Sequence, residues 1–83
     1  MDPYTRLALE HGMNRMFPVD SSNISAVGYK PVGGVLYVLF LNGSAYSYAD
    51  VPKVRFDALL AAESVGKELN SNIKGNYIFT KLF

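Results

Sequence analysis

The 83-residue sequence has no cysteine, one histidine, almost no net charge and no long apolar run. Without cysteine, neither a disulfide nor a thiolate zinc site can staple the chain, and nothing argues for secretion. The N-terminus "MDPYTRLALEHG" carries an acidic second residue and no apolar core, so a signal peptide is not expected. A cytoplasmic location is the plain reading, and the sequons at Asn23 and Asn42 then count as chance matches. The longest apolar run, Val35 to Leu41, falls far short of the ~20 residues of a membrane helix, so no membrane role is expected. Net charge is +1. Residues 1–50 hold three basic against four acidic side chains, and residues 51–83 hold five against three. A protein that neutralises many phosphates of a long duplex would be more basic.

Enzymatic constellations are equally scarce. His11 stands beside Glu10 and one turn before Arg15, with no partner nucleophile in any recognisable motif, and reads as a solvated surface residue. "GKE" at 66–68 lacks the upstream glycine and the Ser/Thr of a phosphate-binding loop. The acids are scattered without the spacing of a calcium loop. No catalytic residue, metal or cofactor is expected, and the chain is read as a non-enzyme.

What is present points to one small α+β domain, since 83 residues do not suffice for two. Asp2, Pro3 and Gly12 suit the cap, first position and end of a helix, with Tyr4, Leu7, Met13 and Met16 on its apolar side. "ISAVGYK" (24–30) and "VLYVLFL" (35–41) read as strands divided by Pro31, Gly33 and Gly34. Asn42-Gly43 signals a hairpin with a two-residue type I′ turn. That turn sets Leu39 opposite Tyr46 and Tyr37 opposite Tyr48 on one face, and places Leu36, Val38 and Phe40 beside Ala45, Ser47 and Ala49 on the other. Strand 35–41 is apolar on both faces, so both are expected to be covered. The N-terminal helix, a second subunit or a ligand would cover the tyrosine face.

Asp50 is placed to cap a helix starting near Pro52 whose core residues are Phe56, Leu59 and Leu60. Ser64 is placed to cap a second short helix, and "YIFTKLF" (77–83) alternates as a last strand. The expected order is α-β-β-β-α-α-β. This is a small antiparallel meander or hairpin sheet with a final C-terminal strand, packed on two short helices, with an added N-terminal helix.

Tyr46 and Tyr48 are the leading candidates for a binding surface. Aromatic rings one pleat apart on a sheet can stack bases, at about 1–3 kcal/mol per base. Packing into the core with the hydroxyls hydrogen-bonded is the commoner fate of such a pair, and both readings stay open here. Lys67 and Lys74 lie beside Ser64-Val65-Gly66 and Gly75, where backbone amides and ammonium groups could serve one anion. Ser22, Asn23 and Asn70 would supply polar contacts.

Several blocks in order carry a family resemblance: "VDSSNISAVGY" (19–29), "FLNGSAYSYADVP" (40–52), "ALLAAESVGKELN" (58–70) and "IKGNY" (73–77). From Val19 to Leu82, about three quarters of the chain, the sequence resembles the KTSC domain. That module is named for its place at the C-terminus of certain lysyl-tRNA synthetases, and it also forms small stand-alone bacterial and phage proteins. The resemblance implies a domain over 19–83 with residues 1–18 as a helical extension, and it implies RNA as a candidate ligand. Two functions compete. One is a binding module for a nucleotide or short single-stranded nucleic acid, using Tyr46, Tyr48, Ser22, Asn23, Lys67, Asn70 and Lys74. The other is a protein-interaction module acting through the N-terminal helix or the Tyr37/Tyr46/Tyr48 face, with association into a homo-oligomer.

Overall fold

Branched and aromatic residues fill 35–40 and recur as Ile24, Val27 and Tyr29 in 24–30, and both segments form strands, as their sterics favour. The computed structural model of the chain describes residues 6, 8–10, 12 and 16–83. Within them a five-stranded antiparallel sheet runs in the order β1 (Phe17–Pro18), β2 (Ile24–Lys30), β3 (Val35–Phe40), β4 (Ala45–Tyr48) and β5 (Phe79–Lys81). Between β4 and β5 the chain makes α1 (Lys53–Ala61) and α2 (Val65–Asn72). Arg6 and residues 8–10 are helical, and Gly12 turns with φ 71°, the left-handed conformation that commonly ends a helix. The fold class is α+β. The expected roles of Asp2, Pro3, Tyr4, Leu7, His11 and Met13 lie outside the described residues.

The hairpin β3–β4 corrects the expected register by one residue. Its loop has three residues, not two. Phe40 N–H donates to Ser44 O at 2.8 Å, Gly43 N–H donates to Phe40 O at 3.0 Å, and Gly43 takes φ 92°. That combination is a type I turn closed by a left-handed glycine bulge, which uses Asn-Gly at different loop positions from a type I′ turn. Asn42 Oδ1 accepts from Ser44 N–H at 2.9 Å and fixes the bend. The pairs are therefore Leu36 with Tyr48, Tyr37 with Ser47, Val38 with Tyr46 and Leu39 with Ala45. A one-residue slip reverses every side chain. Tyr46 and Tyr48 share a face with Leu36, Val38 and Phe40, and Tyr37 with Leu39 points the other way.

A bulge in β2 has a similar effect. Ile24 pairs with Phe40 and Ala26 with Leu39, so the register shifts between Ile24 and Ala26. The extra residue lets Ile24 and Val27, three positions apart, enter the same core.

The helices cover the first face. Ile24, Val27, Leu36, Val38 and Tyr48 pack with Val51, Phe56, Leu59, Val65, Leu69 and Ile73. Phe56 stacks on Tyr29 at 5.2 Å and 15°, and Tyr29 Oη donates to Val51 O at 2.6 Å. Leu60, expected in this core, is 41% exposed. Asp50 is not the cap of α1 either. It takes φ 56° to turn the chain after β4, Pro52 is the N-cap, and no side chain bonds there. Ser64 does cap α2, accepting from Lys67 N–H at 3.3 Å. On the second face Tyr37 and Leu39 lie beside Ala26 and Ala45, and Ala8 and Met16 close over them. The chain's own N-terminal segment thus covers that face.

Candidate functional site

A groove of about 700 Å³ opens where β4, β5, the hairpin loop and the tail of α2 meet. One wall is aromatic and is set by strand pairing. Phe40 ends β3, Tyr46 lies across from Val38, and Phe79 lies across from Tyr48. The Phe40 and Tyr46 rings meet edge-to-face, with centroids 5.6 Å apart and planes at 89°. Phe79 leans on Tyr46 at 5.9 Å and on Tyr48 at 6.3 Å. Such tilted pairs place positive ring edges on negative ring faces, which holds the rings in fixed orientations.

The two tyrosines differ in access. Tyr48 is 2% exposed and belongs to the core, so its ring offers the groove little more than an edge. Burial raises its hydroxyl pKa, with a smaller push from the neighbouring Tyr46. Tyr46 is half-buried, and Phe79 is 61% exposed. The accessible aromatic surface is therefore Phe79 and part of Tyr46 and Phe40, rather than the Tyr46/Tyr48 pair.

Opposite this wall stands Lys74. Ile73 is fully buried and anchors the end of α2, and both Ile73 N–H and Lys74 N–H donate to Leu69 O, at 3.0 and 2.9 Å. A turn follows, with Asn76 N–H donating to Ile73 O at 3.1 Å and Gly75 at φ 82°. Glycine suits that third turn position, where most residues avoid positive φ. The turn leaves Lys74 Nζ 5.7 Å from the Phe40 ring centroid, within cation–π range. A rim of Ser22, Asn23, Asn42 and Ser44 supplies hydroxyl and amide groups.

The rim is held from beneath. Ser21 Oγ donates to Asn23 Oδ1 at 3.1 Å and accepts from Ile24 N–H at 3.2 Å. Leu41 N–H donates to Asn23 O at 2.9 Å and ties this loop to the hairpin. A Cβ on Gly66 would lie 3.0 Å from Asn23 Oδ1, so the start of α2 packs directly on the loop.

Of the seven residues singled out in the sequence, Tyr46, Tyr48, Ser22, Asn23 and Lys74 line this groove. Lys67 and Asn70 are exposed and do not. Lys67 lies in the first turn of α2 and Lys74 just beyond its end, roughly 10 Å apart along the axis at 1.5 Å per residue. The Lys67 amide also serves the Ser64 cap, so the two lysines do not converge on one anion. No local pattern marks Phe40 or Phe79, because their places depend on the hairpin register and on a pairing between strands about thirty residues apart. Asn42-Gly43 announces a turn but not its length.

No helix among the described residues is long and apolar enough to cross a membrane. The model of the KTSC domain matches residues 20–77. A protein of Tsukamurella paurometabola is 45% identical over 62 residues, which span 75% of this chain and 92% of that protein. An uncharacterised protein of Stutzerimonas stutzeri is 38% identical over 56 residues, covering 68% and 79% respectively. The crystal structure of a KTSC domain protein from Yersinia pestis superposes with a TM-score of 0.77 at 32% identity, over 82% of this chain and 96% of that one. The chain belongs to the KTSC domain family.

Proposed function

We propose that this chain is a non-enzymatic, cytoplasmic binding module that takes a nucleotide or a short single-stranded nucleic acid into the groove. The observation that supports it is the joint placement of partly open aromatic rings, Tyr46 and Phe79, with a single ammonium group, Lys74, and a rim of amides and hydroxyls. Rings take a base of any sequence at about 1–3 kcal/mol each. One lysine suits one or two phosphates, in keeping with a net charge of only +1. The volume lies within the roughly 300–1,000 Å³ of small-molecule sites. In this reading Tyr48 is the buried support of Phe79 and Tyr46, and Lys67 and Asn70 take no direct part.

Calorimetry with mononucleotides, cyclic nucleotides and short single-stranded oligonucleotides tests the reading. Binding should weaken with salt at a log–log slope of about 0.7 per contacted phosphate. Tyr46→Ala and Lys74→Ala should each weaken it about tenfold, corresponding to ~1.4 kcal/mol. Wild-type affinity in both variants, or no binding to any of these ligands, would overturn it.

A further inference from the structure

The segment 77–83 reads nearly the same in both directions about Thr80: aromatic, aliphatic, Phe79, Thr80, Lys81, aliphatic, aromatic. Its middle, Phe79–Lys81, is β5, the outer strand of the sheet, and among the described residues no strand lies beyond it. Ile78 is 80% exposed, Phe79 61% and Phe83 49%. Ala49 N–H donates to Ile78 O, and Ser47 pairs with Thr80, so Ile78 and Thr80 turn backbone groups toward β4; beyond Lys81, Leu82 N–H and Phe83 O both bond Ala45, which ends the regular alternation. Antiparallel alternation then turns the N–H and C=O of Phe79 and Lys81 outward. The outward N–H and C=O groups of such an edge are a template for another strand, and β5, short and carrying Lys81, offers that template over only three residues.

We infer that a second copy of this chain is the partner, joined edge to edge through β5 about a two-fold axis at Thr80. In this register Phe79 of each copy pairs with the partner's Lys81, and all four outward backbone groups of each strand are bonded. The strand's own symmetry supplies the side-chain matches. Thr80 meets the partner's Thr80 in a close pair, and Ile78 meets the partner's Leu82. The aliphatic stem of the partner's Lys81 lies beside Phe79. Threonine pairs and apolar pairs directly opposite one another favour antiparallel association, and like charges oppose it. No lysine faces a lysine here, whereas a shift that centres the axis on Lys81 would oppose the two ammonium groups. The two five-stranded sheets become one of ten strands, and Phe79 at the groove edge gains a cation from the partner. The inference does not depend on the ligand.

Sedimentation equilibrium of the full chain over a wide concentration range is the test. A monomer–dimer equilibrium is expected. Lys81→Pro removes an outward N–H that β4 does not use, so it should abolish the dimer and leave the circular dichroism unchanged. Thr80→Lys and Thr80→Glu each oppose like charges on the axis and should weaken the dimer several-fold, and their equimolar mixture should associate at least as well as wild type. A wild-type chain that stays monomeric throughout would overturn the proposal. So would a Lys81→Pro variant that dimerises normally, or charge variants that show no preference for each other.

Discussion

The two faces of the sheet are packed on different plans. Among the described residues, the helix face buries eleven side chains, including Leu36, Leu59, Leu69 and Ile73, locked between strands and two helices. The opposite face buries six, and three of them, Ala8, Ala26 and Ala45, are alanines. Large residues of β3, Tyr37 and Leu39, lie there in a trough of small neighbours under one covering segment. The first face is a core in its own right, whereas the second is a close-fitting lid. The groove opens from the first face because the helices stop short of β5, leaving Phe79 and the outer side of Tyr46 open.

The largest expected effect breaks the core. Leu36→Ala leaves a cavity that strands and helices on all sides cannot close, and should cost about 3–5 kcal/mol. Leu39→Ala, whose buried neighbours Ala8, Ala26 and Ala45 are small, should cost nearer 2 kcal/mol, at the low end of such truncations. Urea denaturation of the two variants measures the difference. Equal losses would show that the lid is as rigid as the helix layer.

A middle-sized effect tests how the helix layer is attached. Gly34 sits at φ 63° where the loop meets Val51, and a Cβ there would lie 3.1 Å from Val51 O. That carbonyl accepts the Tyr29 hydroxyl, and Val51 N–H donates to Gly34 O at 2.8 Å. Gly34→Ala therefore adds a backbone clash to the conformational cost of positive φ and should cost about 2–3 kcal/mol. Gly43→Ala shares the positive φ but meets nothing within 4 Å, so about 1 kcal/mol is expected. Equal melting points for the two variants would mean that contact at Val51 is not what sets Gly34.

The same contrast separates what the sequence disclosed from what it hid. Local rules found β2, β3, the helix after Pro52, the Ser64 cap and the last strand, because each depends on neighbours within one or two turns. They also found that both faces of β3 are covered, since its apolar run has no polar side. They assigned the tyrosines to the wrong face because Asn-Gly serves two hairpin turns of different length, and one residue of loop reverses a whole strand. Spacing alone places Leu60 inside, yet it falls on the solvent side of the stripe made by Phe56 and Leu59. The groove was half legible. Tyr46, Lys74, Ser22 and Asn23 belong to recognisable blocks, whereas Phe40 and Phe79 enter only through register and through pairing across the helical crossover.

The smallest effect titrates one tyrosine from each face. Burial raises the hydroxyl pKa of Tyr37 on the lid side and of Tyr48 on the helix side above the ordinary 10.0, and Tyr46 adds to the rise at Tyr48. A raised folded-state pKa means that the unfolded chain loses these protons first. The stability they contribute is therefore complete below about pH 10, and it falls as pH climbs through the unfolded and then the folded values. Nothing should change between neutral pH and about pH 9 on their account. Above about pH 10 the urea midpoint should drop, and Tyr48→Phe should drop less steeply than wild type because it has no proton to lose. Tyr37→Phe should flatten the alkaline limb for the same reason. Each variant is judged by its slope above pH 10, which separates ionisation from any packing change already visible at pH 7. Parallel alkaline limbs in all three proteins would place the pH sensitivity outside both faces, and would argue that neither buried hydroxyl is held from water as firmly as its surroundings indicate.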